Sequence, residues 1–454
     1  MPIRSTRIVS CLVALGCLSA GPVQASGFAI TEQSGSGMGN AFAGAAASAQ
    51  DASTIFFNPA GMTFLPDHQV VFGTHVISPS AEFSGTAANS PAFGGLPITG
   101  GNGGDAALIG VVPNLYLESA LADHRWRVGL GINAPFGLRT DYPESWKGRY
   151  QAVKTELTTI NINPAVAFQA TDRLSIGAGL DVMYADATLT NAVDNSAICL
   201  GLQAQGKFPA GTCAAFGLAN PGSPGTDGFA RVSGNNWALG YNLGVLYALT
   251  PDTRLGLHYR SKVHQTLSGN AEFSGMPGLF TANGLFVNSP ATAEVTLPET
   301  VSASVFHTIN REWAVMADAT WTHWARFDNL VVQYDTGAQG PTVQPEQWQN
   351  TWRYSVGANY RYSDALTLRT GIAYDQTPIQ SPQLRTPRIP DATRRWVAVG
   401  ASYHYSPRVT IELAYAHLFV SNTSINHTDS LGHTLTGSYS SEVNLLSGQV
   451  NWAF

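Results

Sequence analysis

The chain predicts an all-β fold, a transmembrane antiparallel β-barrel of about fourteen strands with an N-terminal plug inside its lumen. Three observations carry that expectation. Apolar and polar residues alternate with period two from about residue 68 onward, short polar turns alternate with long loops, and charged residues make up only 12% of the sequence. An ordinary soluble domain carries roughly 25%. A surface so poor in charge suits a protein whose outside meets lipid.

Residues 1–25 read as an export signal. Arg4 and Arg7 precede the apolar run IVSCLVALGCLSA (8–20), and VQA stands before Ser26 as a small-residue cleavage site. The run is too short to cross a bilayer as a helix, and no apolar stretch of about 18 residues follows it. Cys17 follows ALG, which fits a lipid-attachment box poorly. Cleavage after Ala25 leaves Cys199 and Cys213, two thiols in one long loop and an oxidising compartment, where a disulfide is the expected state.

Residues 26–66 differ in composition from everything after them. SGSGMGNAFAGAAASAQ (34–50) consists of small residues that fold compactly yet hold no core alone. Such a segment needs a cavity to fold into. ASTIFFNPAGM (52–62) adds two phenylalanines and an Asn-Pro turn signal.

Residues 67–454 carry the barrel pattern. In RWVAVGASYHY, Val397, Val399, Ala401, Tyr403 and Tyr405 share one face; in LLSGQVNWAF, Leu446, Gly448, Val450, Trp452 and Phe454 do. An apolar face ending in aromatics is what a strand presents to lipid and its headgroups. Tight turns fall at ADHR (122–125), TDR (171–173), PDT (251–253), NRE (310–312), SDA (363–365) and SPR (406–408). Longer segments rich in Gly, Pro and Asn fall at 84–105, 135–151, 191–230, 274–292, 331–350 and 376–392. Six hairpins, one strand near 68–83 and one at 440–454 make an even count, which closes without an exposed edge. A final Trp-x-Phe resembles the recognition signal read by the barrel assembly machinery. A secreted sandwich or propeller would also alternate, but no blade-length repeat is present.

Several function classes are excluded. A net charge of −6 and no basic stripe argue against nucleic acid. No GxSxG motif, zinc-helix motif or phosphate loop occurs, so no enzyme, cofactor or metal site is expected. GGNGGD (100–105) is a single copy of a calcium-type turn and reads as a flexible loop.

The block SGFAITEQSGSGMGNAFAGAAASAQDASTIFFNPAGMTFL resembles the N-terminal hatch of the outer-membrane long-chain fatty acid transporters, Asn58, Pro59 and Ala60 included. GINAPFGLRTDYPESWKGRYQAVKTELTTININPAVAF (131–168), LPETVSASVFH (297–307), WTHWARFDNL (321–330), LRTGIAYDQTPI (368–379) and RTPRIPDATRRW (385–396) extend the likeness over the mature chain. The same family includes uptake channels for monoaromatic hydrocarbons. The resemblance implies a monomeric barrel of fourteen strands in the Gram-negative outer membrane, surrounded by lipid and lipopolysaccharide. It admits a long-chain fatty acid or other hydrophobic small molecule passively. It also implies lateral release at a kink in the third strand, with the Asn-Pro-Ala motif of the hatch gate against that kink. HRWRVGLGIN (124–133) is the expected third strand, and Gly129 and Gly131 are the residues permissive of a kink. A porin would conduct ions steadily, and a barrel lipase would carry an outward Ser and His.

Phe28, Phe56 and Phe57 are the candidates for binding the apolar tail, or for wedging the plug against the wall. A carboxylate head needs cations or donors. Arg254, His258, Arg260 and Lys262 alternate with Leu255, Leu257, Tyr259 and Val263, and so face the lumen if the apolar side meets lipid. Arg369 opposes Leu368 and Ile372, and Glu412 opposes Ile411 and Leu413. Such inward charges either bind ligand or pair with each other. Arg149 and Lys154, in the family-like GRYQAVK block, are further candidates, with Trp146 beside them as a lining of the outer groove.

Overall fold

The computed structural model describes residues 27–66, 68–336 and 338–454; the export signal, its cleavage site and Cys17 lie outside the described residues. The first strand is His68–Ala88 and the second Gly110–Ala120; the third is split into Trp126–Asn133 and Gly137–Asp141. Lys154–Gln169, Leu174–Asp194 and Asp227–Thr250 are the fourth to sixth. Each of the next four is interrupted: Thr253–Arg260 with Val263–Ser274, Ser289–Leu297 with Thr300–Thr308, Trp313–Thr322 with Asn329–Tyr334, and Thr342–Pro345 with Thr351–Arg361. Leu366–Asp375, Arg394–Ser406, Val409–Val420 continued by Thr423–Thr428, and Thr434–Ala453 complete fourteen. Each pairs antiparallel with the next, and the last pairs with the first from Gln69↔Ala453 to Ala88↔Thr434. Among the described residues no edge is left in the ring.

The tight turns lie where the polar triplets predict, because Asp, Asn and Ser accept hydrogen bonds from the turn's own N–H groups. Asn310 Oδ1, for example, accepts from the backbone N–H groups of Glu312 and Trp313 at 2.9 and 2.8 Å. The long loops are shorter than the composition suggests. Strands run on through residues 84–88, 191–194, 227–230, 289–292 and 331–334.

Alternation sorts the two faces. On the twelfth strand Val397 and Val399 are exposed while Trp396 and Ala398 are buried. On the sixth, Trp237, Leu239, Tyr241, Leu243, Val245 and Tyr247 all face outward. From Trp237 to Tyr247 the strand rises about 33 Å, or about 25 Å across a bilayer at a ~40° tilt. Trp126, Trp313, Tyr403, Tyr405 and Trp452 mark the girdle near the tight turns; Trp237, Trp352 and Phe419 mark the other. Asp227–Asn236 and the neighbouring strand ends therefore stand beyond the outer girdle.

One phase expectation fails. Arg260 and His258 are buried inside as expected, but Val263 is buried and Lys262 exposed. The sixth strand pairs Asn242 with Arg260 yet Asn235 with Ser268, so the seventh strand carries one extra residue at Ser261–Lys262. A bulge of one residue swaps the faces beyond it.

Residues 27–66 fill the lumen at the tight-turn end. Short helices Gly35–Met38, Ala45–Ser48 and Thr54–Phe57 and the 3-10 turn Pro59–Phe64 are joined by left-handed residues Ala41, Phe42 and Ala49. The wall satisfies this irregular backbone. Asn40 Nδ2 donates to the Ala358 and Thr370 carbonyls at 3.1 Å, Arg254 to Ser48 O at 2.7 Å, Arg353 to Ala41 O at 2.8 Å, and the Gly35 N–H to Gln449 Oε1 at 2.7 Å. Buried backbone groups left unpaired would each cost about 1–3 kcal/mol.

Candidate functional site

The lumen site is assembled from the places where strands break. Ala134–Pro135–Phe136 interrupt the third strand, residues 323–328 the ninth and residues 346–350 the tenth. Each break turns aromatic rings inward. Around the Phe28 ring stand Trp324 at 4.8 Å, Phe327 at 5.4 Å, Trp348 at 5.6 Å and Phe136 at 6.1 Å, centroid to centroid. The ninth-strand break is fixed by Glu299, which accepts from Arg326 and from His323 Nδ1, both at 2.7 Å.

Beyond this cage an apolar pocket of about 80 Å³ opens between Phe28, Leu157, Leu267, Val295, Phe327, Val332 and Ile389. Val232 and Ser233 line it five and four residues beyond the girdle residue Trp237, so the pocket stands above the bilayer. Its charged lining is Glu156, Glu346 and Arg388. A second cavity of about 120 Å³ lies between pocket and plug, bounded by Ile30, Phe42, Phe56, Phe57 and Trp324, with His258, Arg260, Asp318, Arg353 and Asp375 on the wall. It is the more polar of the two.

The plug's first residues tie the cage to the third strand. Ile30 N–H donates to Pro135 O at 2.8 Å and Gly137 N–H to Phe28 O at 2.9 Å; Gln33 Nε2 donates to Ala134 O at 2.7 Å. At the same level the wall thins. The ladder between second and third strands stops at Leu115↔Ile132 and returns only as the isolated bridge Ala107↔Thr140. Among the described residues, Gly110 to Asn114 have no strand partner on that side.

The interruption therefore replaces the expected kink at Gly129 and Gly131. Both glycines lie in regular pairing, with Glu118 and Ala165 and with Tyr116 and Asn163. Gly129 instead makes room for the plug: a Cβ there would meet Ile55 at 2.6 Å and Met62 at 2.7 Å. Proline has no N–H for a ladder, so the break falls at Pro135. Asn58, Pro59 and Ala60 likewise do not touch this break. Asn58 Nδ2 donates to Ala46 O at 2.7 Å and Val245 O at 3.0 Å, and the motif presses on Gly177 and Gly244 of the fifth and sixth strands. A Cβ at Gly177 would lie 2.4 Å from the Ala60 nitrogen.

The other candidates separate into lining, wedging and clamping. Phe28 lines the upper pocket; Phe56 and Phe57 line the lower cavity, half-buried and 5.1 Å apart. Arg260 lines the lower cavity but is already engaged, by Asp181, by Phe56 O at 3.0 Å and over the Phe56 ring at 4.3 Å. Arg369 pairs with Glu412 at 3.3 Å and with Gln50 of the plug. Lys154 Nζ sits 2.5 Å from Glu156. Trp146 does not line an outer groove. It is 1% exposed, stacked 4.0 Å from Tyr142, with Nε1 donating to Ala152 O. Arg149 is equally buried and binds no ligand-facing space: Asp227 at 2.7 Å, Thr99 O at 2.8 Å and Gly222 O at 2.9 Å take up its fork, clamping three outer segments. Beside it Asp194 and Asp429 hold His433 at 3.1 and 2.8 Å. Cys199 and Cys213 form a disulfide, with Cα atoms 5.8 Å apart, in the same outer layer.

Trp324, Phe327, Trp348, Glu346 and Arg388 were not among the sequence candidates. For Trp324, Phe327, Glu346 and Trp348 the signal is an aromatic-rich interruption of period two, as in THWARFDN and QPEQWQN; Arg388 lies in the loop 376–393.

A closed β-barrel with an internal plug, a lumenal apolar pocket and a gap in one ladder defines an outer-membrane channel for hydrophobic molecules. The chain belongs to the outer membrane protein transport protein family (OMPP1/FadL/TodX), whose description matches residues 16–454. It is 31% identical over 421 residues to an outer membrane protein of Neisseria meningitidis serogroup B, covering 89% of this chain and 88% of that one. It is 30% identical over 415 residues to the long-chain fatty acid transport protein of Escherichia coli O157:H7, covering 88% and 89%. The crystal structure of a Pseudomonas aeruginosa FadL homologue superposes with a TM-score of 0.84 at 26% identity, over 94% of this chain and all of the other. The barrel resides in the outer membrane of a Gram-negative cell.

Proposed function

We propose that this barrel is a passive uptake channel for long-chain fatty acids, which bind in the upper pocket and leave sideways between the second and third strands. One observation carries the reading: Phe28 lines the pocket while its own backbone bonds the break in the third strand. Ligand that displaces Phe28 loosens the hydrogen bonds at residues 134–137, beside the gap in the ladder. Leaving into bilayer keeps the acyl chain out of water, where each methylene would cost about 0.8 kcal/mol. Downhill flux then needs no energy source in the barrel.

The protein acts as a monomer, and its closed ring needs no second copy to pair its strand edges. Outer-membrane phospholipid and lipopolysaccharide surround it, and the barrel assembly machinery inserts it. Residues 1–25 serve as the export signal, 26–66 as the hatch and 67–454 as the barrel. A second reading, uptake of monoaromatic hydrocarbons, is favoured by the compactness of the upper pocket, about 80 Å³.

The test is uptake of radiolabelled oleate and toluene by cells lacking their own transporter and expressing this chain. Oleate uptake supports the main reading and toluene uptake alone the second. Stimulation of neither overturns both, and ester hydrolysis by the purified protein would point to a barrel lipase instead.

A further inference from the structure

Two charges in the upper pocket have no part in the transport argument so far. Glu346 and Arg388 line it among Leu157, Leu267 and Val295. Glu346 is placed by the break in the tenth strand: Gln347 takes a left-handed φ of 47°, and the N–H groups of Glu346 and Gln347 donate to Asp328 O at 2.8 and 2.9 Å. Its side chain is 1% exposed and accepts from Trp348 Nε1 at 3.2 Å. Arg388 enters from the loop 376–393 and donates to Asn191 Oδ1 at 3.1 Å and to Thr190 O at 3.3 Å. It has neutral partners only among the described residues. The remaining charge on the lining, Glu156, is matched by Lys154 at 2.5 Å, with Arg139 at 3.9 Å. Tyr334 and His427 are the other titratable groups within the field of Arg388.

A carboxylate and a guanidinium in one apolar pocket balance each other across it, and neither is cheap to leave alone. An anion entering the pocket becomes a rival for the guanidinium and is repelled by the carboxylate. We propose that Glu346 makes anion binding in the upper pocket proton-linked: the ligand's anionic head competes with ionised Glu346 as the counter-charge of Arg388, so that binding to the ionised form draws one proton from solvent onto Glu346. The proposal rests on the upper pocket being the ligand site. Neutral hydrophobic ligands displace no charge and bind without the proton.

Both groups stand outside the bilayer, Glu346 six residues beyond the girdle residue Trp352. Burial pushes the Glu346 carboxyl up to about 8, with the Trp348 hydrogen bond and Arg388 opposing it. Burial brings Arg388 down only to about 10, so the cation persists while the carboxyl ionises. Anion binding therefore has a plateau below pH 8 and a decline above it.

The test is equilibrium dialysis of the purified full chain, in detergent, with radiolabelled dodecanesulfonate, ionised at every pH used, and with dodecanol as the neutral probe. Expected for the wild type is constant sulfonate affinity from pH 6.5 to 7.5, a fall of about fivefold from pH 8 to 9, and no slope for dodecanol. Glu346→Gln should bind sulfonate with no slope over the same range. Absence of the fall in the wild type, or an equal fall in Glu346→Gln, overturns the proposal. Ala293→Trp, which fills the pocket, separates the two claims. Loss of both ligands supports the pocket; unchanged binding of both overturns the pocket reading and the proposal with it.

Discussion

The two halves of the lumen are built on opposite rules. At the tight-turn end the plug is held by hydrogen bonds to wall side chains and carbonyls, and two cations of the wall beside it are paired, Arg260 with Asp181 and Arg369 with Glu412. At the outer end the contacts are aromatic and aliphatic, and the strands that supply them are broken. Hydrogen bonds fix one geometry, whereas apolar contacts are non-directional and tolerate sliding. The seal is therefore specific and the pocket adaptable, and Phe28 is where one rule hands over to the other.

The strongest test of that division is to remove the handover. Cysteines at Ala29 and Phe136, which face each other in an isolated bridge, should abolish oleate uptake when oxidised and restore it when reduced. Uptake that persists through the cross-link would break the comparison. Next in size, Gly244→Leu drives a side chain into Asn58, whose Oδ1 already lies 1.9 Å from where a Cβ would sit. It should unseat the plug and give steady ion conductance in planar bilayers, where the wild type gives none. Phe28→Ala removes a ring from the cage at a cost of about 3 kcal/mol in packing, and should weaken oleate binding by calorimetry at least tenfold while leaving the barrel folded.

The smallest effect is expected in the outer layer. Burial lowers the His433 imidazole, but hydrogen bonds and charge from Asp194 and Asp429 outweigh it and raise the group to about 9. A folded value above the unfolded ~6.5 means that His433 contributes its full stability below pH 6.5 and loses it as pH rises through about 9. His433→Gln should lower the thermal midpoint at pH 6 and match the wild type at pH 10. A difference that stays constant with pH would make the loop lock a matter of shape alone.

The wall was legible in the sequence because its signals are local. Alternation places Val397 and Leu446 toward lipid, and Asp, Asn and Ser mark each tight turn. The plug was legible by contrast, as a run of small residues with no core of its own. What escaped was everything that depends on phase or on tertiary return. One extra residue at Ser261–Lys262 reverses the faces of the seventh strand, and no periodicity announces it. Pro135 sets the break of the third strand, where Gly129 and Gly131 look more permissive. Trp146 and Arg149 read as ligand groups because they are aromatic and cationic in a loop, yet that loop folds inward and spends both on its own architecture. Of the inward charges, Arg260 and Arg369 pair with Asp181 and Glu412, whereas Arg254 and Arg353 bond carbonyls of the plug.

The seam that closes the ring has a further meaning for how the molecule comes into being. Gln69–Ala88 and Thr434–Ala453 zip along twenty residue pairs, the longest register in the wall beside that of the fifth and sixth strands. The first of these segments follows directly after the plug, and the second is the fourteenth strand of the ring. The hatch is keyed to the tenth and eleventh strands through Asn40 and to the fourteenth through Gly35. A stopper so keyed, whose backbone bonds strands from both halves of the wall, is wrapped rather than inserted. The pairing of the first strand with the fourteenth thus makes this vessel one that is sealed around its contents.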